Sequence, residues 1–297
     1  MAHPAAPPRR ALLGAFALAG CAGGLPEPAG RGTTPEARAL LDRAAAAHGA
    51  AAFQNVRDLS VGYDGSWAPF IHRLQPALVD RGHRSRSEER LLPRDGLVAQ
   101  AHAGPDGRKA VVRRAGGVRV WFGGEEARDA ERRAAAALVA DAYALFLLGP
   151  LLLAGGWGAP RALALEAGGA EDIVVDGRPF ACDVLRGRVA PGLGFAASDR
   201  VALFVDKEEG LMRRVRFSLE GMESTRGAVA EVDAWGHTAR HGVRWPTRFH
   251  ERLLRPLRMP VHDWWVTGLD VNRGFVAGDV EGGTFRGRAA APAAALA

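Results

Sequence analysis

Cysteine, lysine and tyrosine are almost absent from this 297-residue chain, at two of each. The cysteines are Cys21 and Cys182, so a fold stapled by a disulfide framework is excluded. The lysines are Lys109 and Lys207, which leaves nearly all the positive charge on arginines spread along the chain at a net +6. A clustered basic stripe for nucleic acid is not written here, and no nucleic-acid partner is expected. No apolar run reaches the roughly 20 residues that a spanning helix needs. Gly-x-Ser-x-Gly, Walker A and His-Glu-x-x-His signatures are all missing.

The remaining chemistry-bearing residues are scattered. His237 and His241 have metal-compatible spacing only on a helix, yet Gly236 and Gly242 flank them, which predicts a strand and turn. Gly192-Leu193-Gly194-Phe195-Ala196-Ala197 matches the loose dinucleotide fingerprint, but a strand pattern follows it where a helix is required, so it reads as a loop. His262-Asp263 before Trp264-Trp265 reads as a polar pair opening a strand. No catalytic set, metal site or cofactor is predicted. Cys182 reads as a small buried hydrophobe.

What is present begins at the N-terminus. Arg9 and Arg10 precede an apolar stretch over 11–19, and Leu18-Ala19-Gly20-Cys21 follows. This resembles the signal and lipobox of bacterial lipoproteins, in which small residues fit a peptidase cleft and the thiol takes the lipid. The resemblance implies a signal peptide over 1–20, lipidation at Cys21 and a membrane-bound mature protein, since more than one acyl chain anchors stably. Removing Arg9 and Arg10 lowers the net charge from +6 to +4. The Arg pair leaves general and twin-arginine export both open. By resemblance to enterobacterial sorting, Ala22 in place of Asp favours the outer membrane.

Residues 21–33 are Gly- and Pro-rich and read as a flexible tether of at most ~40 Å. Thr34-Pro35-Glu36 then opens a helix, as N-cap, first helical residue and first-turn acid. Short strand patterns follow over 58–63, 83–91, 97–103, 109–114 and 119–122. A helix over 125–148 turns from charged to apolar, and Gly149-Pro150 breaks it before Leu151-Leu152-Leu153. Strands resume over 162–165, 172–175, 180–186, 200–206, 211–219, 228–235, 243–253 and 262–271. Val215, Phe217 and Leu219 share one face against Arg214, Arg216 and Ser218, the alternation of an antiparallel sheet with one wet side. A single domain over 34–286 and a disordered tail over 287–297 are expected.

The order of these elements resembles the LolA/LolB-like superfamily of periplasmic lipoprotein-carrier and lipid-binding proteins, over most of 34–274. The carrying residues are Asp42 through His48-Gly49, Phe146-x-x-Gly149-Pro150-x-x-Leu153 and Val175-Asp176-Gly177. Asp199-x-x-x-Leu203-x-Val205-Asp206 with Gly210-Leu211 and Val215-x-Phe217 completes the set. The resemblance implies an α+β fold, a curved antiparallel half-open β-barrel with helices packed in the concave face, binding acyl chains.

An apolar helix on a concave sheet leaves room for a lipid-sized cavity. Phe146, Leu148, Leu151 and Leu152, with Trp121, Trp245, Trp264 and Trp265, are the candidate lining, and plain core packing is the alternative for each. Leu151 to Leu153 is expected to form the lip. The leading function is a non-catalytic, membrane-anchored lipoprotein of the periplasm-facing envelope that takes lipid or lipoprotein acyl chains. A periplasmic hydrolase with dispersed His, Asp and Ser, or a structural envelope lipoprotein, are the alternatives.

Overall fold

A computed structural model describes residues 25–158 and 161–283. The signal peptide, Cys21, the first part of the tether and the C-terminal tail lie outside the described residues. In chain order the elements are α1 (Pro35–Ala47), α2 (Ala50–Phe53), β1 (Leu59–Trp67), α3 (Ile71–Leu74), α4 (Pro76–Val79), β2 (Arg86–Leu92), β3 (Leu97–Gly104), β4 (Gly107–Arg114), β5 (Gly117–Phe122) and β6 (Glu125–Glu126). Then come α5 (Ala130–Leu148), α6 (Pro150–Leu153), β7 (Ala162–Val175), β8 (Arg178–Ala190), β9 (Asp199–Asp206), β10 (Met212–Ser218) and β11 (Val229–Trp235). The last are β12 (Thr238–Arg240), β13 (Val243–Trp245), β14 (Arg248–Arg255), β15 (Met259–Val271) and α7 (Ala277–Val280).

Thirteen strands form one antiparallel sheet in the order β6-β5-β4-β3-β2-β1-β15-β14-β11-β10-β9-β8-β7. β1 pairs with β15, Val61 opposite Leu269, which joins the two meanders, and β6 and β7 remain as separate edges. This is a curved, half-open α+β architecture. β12 and β13 form a separate hairpin.

The sheet wraps α5. Asp129 caps that helix by accepting from the Arg132 N–H at 2.8 Å, and the strand β6 occupies the first residues of the stretch expected to be helical. Every residue over 135–148 is buried, the condition of a helix that is apolar on all sides. Gly149, at φ 48°, ends it, and Pro150 starts α6. Phe146 packs on Phe217 of β10 with ring centroids at 5.2 Å. α1 begins as its sequence predicts, with the Thr34 side chain accepting from the Ala37 N–H, and closes at Gly49. A Cβ there would meet the Gly242 carbonyl at 2.2 Å, so only glycine fits.

The outer face carries its own interactions. Glu231 of β11 is fully buried between Arg216 of β10 and Arg252 of β14, at 2.9 and 3.0 Å, and Asp233 accepts from Arg214 and Arg252. The three arginines hold the Glu231 carboxyl below its ordinary value against the opposing effect of burial.

The tether expectation needs correction from Leu25 onward. Leu25 is buried among Ile173, Val184 and Phe204, and the Thr34 N–H donates to the Leu165 carbonyl at 2.9 Å. Burial of one leucine, worth about 2 kcal/mol, adds to the Arg200–Leu25 carbonyl and Thr33–Leu163 carbonyl hydrogen bonds that hold this segment on the sheet.

Candidate functional site

A cavity of about 580 Å³ opens between α5, the α3–α4 segment and the inner faces of β10, β11, β14 and β15. Such a volume falls in the roughly 300–1,000 Å³ range of ligand sites. The helix contributes Leu138, Val139, Ala142, Tyr143 and Phe146 at helical spacing, and the strands contribute Phe217, Ala230, Leu253 and Val261. α3 and α4 form the opposite wall through Ile71, Leu74 and Leu78. Asp80, just after α4, accepts from Lys109 Nζ at 2.7 Å and lies 2.9 Å from His83 Nδ1, which ties that wall to β4.

The mouth exposes large apolar groups to solvent. Leu257 is 64% exposed and Leu74 56%, with Phe70 beside it at 61%. Isolated exposed apolar side chains are ordinary, but two of these line a cavity entrance and the third adjoins it.

Three charged side chains interrupt the apolar wall, Arg84, Glu251 and, at the exposed rim, Arg226. Arg84 is 6% exposed and donates to the Leu78 carbonyl at 2.6 Å. Its guanidinium lies over the rings of Trp67 and Tyr143, at 5.0 and 5.4 Å from their centroids. Its Nε is buried without an acceptor, and no carboxylate among the described residues lies within ion-pair distance. Glu251 of β14 shares the inner face with Phe249 and Leu253. Burial pushes its carboxyl up to about 7, and Arg84 is the charge that opposes the rise.

Behind this wall lies an aromatic and polar layer. Tyr143 Oη is 3.1 Å from His262 Nδ1, and His262 stacks on Trp67 at 3.8 Å. Burial holds the His262 imidazole well below its ordinary pKa, so it is neutral at pH 7. On the same side Glu89 accepts from Gln100 at 2.8 Å, and burial pushes it too up to about 7.

The candidate lining residues separate into distinct places. Phe146 lines the cavity. Trp264 stands one layer behind, stacked between Phe249 and Tyr143 at 4.9 and 5.2 Å. Leu148 and Leu151 sit in the closed core, and Leu152 borders only a small gap beside Asp141. Leu151, Leu152 and Leu153 are all buried, so they form no lip; Leu74 and Leu257 do. Trp245 is fully buried against Phe53. Trp121 packs on the outer face with Phe275 and Val280, and Trp265, next to inward Trp264, turns outward beneath Arg248.

The histidine pair does not assemble. His237 is half-buried, edge-on to His48, whereas exposed His241 lies 3.3 Å from Asp270. Among the described residues no group of three His, Cys, Asp or Glu could hold a metal ion. Cys182 is buried on the outer face, and burial pushes its thiol up to about 12. The 192–197 segment is the β8–β9 loop, with Gly194 laid against α5 where a Cβ would touch the Leu138 backbone at 3.0 Å.

Sequence reasoning missed Arg84 and Glu251. The signal for Glu251 was available: Phe249, Glu251 and Leu253 alternate on one strand face, which places an acid among apolar residues. Arg84 lies in a loop, where no periodicity marks it.

No family model matches the chain, and no curated protein matches it. Among solved structures, a LolA superfamily protein from Nitrosomonas europaea aligns over 82% of this chain and 96% of its own, at 12% identity and a TM-score of 0.47. A DUF1329 family protein from Desulfovibrio piger aligns over 84% and 98%, at 15% identity and a TM-score of 0.42. A putative outer membrane lipoprotein-sorting protein domain from Vibrio parahaemolyticus aligns over 82% and 97%, at 10% identity and a TM-score of 0.38. The chain is similar in structure to proteins of the LolA superfamily.

Proposed function

We propose that this protein is an envelope lipoprotein, anchored through Cys21, that binds acyl chains in the cavity beneath α5 without transforming them. The observation that carries the reading is a cavity of about 580 Å³ walled mostly by apolar side chains. A site for a polar metabolite would present several convergent donors and acceptors, whereas an acyl chain needs apolar area removed from water. Exposed Leu74 and Leu257 at the entrance suit a ligand that arrives from a lipid phase. The anchor rests on the lipobox, and placement at the outer membrane rests on Ala22 following the cysteine.

The test is native mass spectrometry of the full chain extracted from bacterial membranes in mild detergent. Copurified lipid is expected on the parent protein and absent from Ala142→Phe, whose ring would fill the cavity from the helix side. A parent protein that carries no lipid and takes up no fluorescent acyl probe overturns the reading.

A further inference from the structure

We propose that the cavity selects acyl chains ending in a free carboxylic acid, and that Arg84 and Glu251 together hold that carboxyl group. This deepens the acyl-chain reading and rests on it.

Arg84 poses the problem that a ligand would solve. A buried guanidinium is costly unless it is paired, and its Nε–H has no acceptor. The side chain is more than nine-tenths buried and lines the cavity, held by the Leu78 carbonyl and by the faces of Trp67 and Tyr143. Nη1 donates to Leu78 and Nε is closed off from the cavity, so Nη2 is the group left for a ligand acceptor. Arg226 also lines the cavity, but it is exposed at the rim.

Glu251 decides which acceptor fits. It lines the same cavity, and no hydrogen bond or ion pair to its side chain is formed among the described residues. A ligand carboxylate beside an ionised Glu251 would be repelled, but two carboxyl groups in low dielectric share one proton readily. Burial already favours the protonated form of Glu251 near neutral pH. One shared proton leaves a single negative charge over the two carboxyls, and the Arg84 guanidinium balances it. The site is then neutral and each group has a partner. An ester does worse: it has no proton to share with Glu251, and as a neutral acceptor it gains less from the guanidinium than the charged carboxyl pair does. The apolar walls from Leu138 to Phe217 would take the chain.

The experiment compares a fluorescent long-chain fatty acid with its methyl ester on the full chain in detergent. The parent should bind the acid roughly tenfold more tightly, the size of one charge-assisted hydrogen bond. Arg84→Met should remove that preference and leave ester binding within about threefold of the parent. Glu251→Gln should keep acid binding within about threefold, because its amide N–H replaces the shared proton. Equal affinity for acid and ester in the parent overturns the inference while acyl-chain binding stands. Failure to bind either ligand overturns both. A tenfold loss of acid binding in Glu251→Gln also refutes the shared proton. The comparison on the parent needs no variant, so a substitution that fails to fold leaves the inference refutable.

Discussion

Asp141, the only charged residue in the buried half of α5, is paired with Arg113 of β4 at 2.9 Å. The same carboxylate accepts from the Gly194 N–H at 2.9 Å, and Arg113 donates to the Gly194 carbonyl at 2.7 Å. One ion pair therefore ties the central helix to the sheet and to the β8–β9 loop. A buried pair of this kind adds little net stability, because its desolvation offsets its attraction, but it fixes which way the helix faces.

Breaking the pair from one side should expose that asymmetry. Asp141→Leu or Arg113→Leu alone leaves a buried charge unmatched and should cost about 3–5 kcal/mol. The double change to leucine at both positions should lie much closer to the parent. Urea unfolding followed by tryptophan fluorescence measures all three, and additive single effects would contradict the pairing.

Leu152 is 5% exposed and remote from the main cavity, so it should behave as a core residue. Leu152→Ala should cost about 2–5 kcal/mol of unfolding free energy. Acyl-probe affinity of the folded fraction should be unchanged. A small stability loss with weakened binding would instead place Leu152 at the entrance.

Much of the sheet was legible because polar and apolar residues alternate along strands such as β10, although its polar face is largely buried under ion pairs. Val215, Phe217 and Leu219 alternate with Arg214, Arg216 and Ser218, and β10 stands there. The helix ends were legible too, since Thr34-Pro35 and Gly149-Pro150 act locally. β7 was not: Glu166, Gly168, Gly169 and Glu171 read as a loop between two short strands, yet pairing with β8 carries one strand through them across a bulge at 167–170. Tryptophan content was a poor guide to the cavity. Trp264 and Trp265 are neighbours on opposite faces, and only the register of β15 against β1 and β14 says which turns inward. The site escaped for a related reason: Arg84 and Glu251 are far apart in sequence, and only the folded sheet brings them to the lining of one cavity.

The stability profile with pH should carry the mark of Glu89. Its folded pKa is raised to about 7 from 4.5, so the folded chain keeps a proton that the unfolded chain releases. Below pH 4.5 both states are protonated and the group is neutral to folding. Stability falls as pH rises from 4.5 to 7 and stays low above it. Glu89→Gln should therefore match the parent at pH 4 and exceed it by up to about 3 kcal/mol at pH 8. Urea titrations at the two pH values measure this, and the opposite order would show that Glu89 is ionised and paired.

Cys21→Ser should abolish metabolic labelling by a fatty-acid analogue and shift the protein out of the membrane fraction or leave its signal uncut. A serine variant that is labelled and sediments like the parent would refute the lipid anchor.

The burial of Leu25 sets the length of leash that such an anchor would have. Three residues separate it from Cys21, and those four chain steps fully extended span only about 14 Å, where a free chain to Thr34 would allow three times as much. A protein held that closely cannot tumble freely over the bilayer. The flank formed by β7, β8 and β9, where Leu25 docks, would always ride next to the headgroups, and only swivelling about that point would bring the cavity mouth toward a ligand.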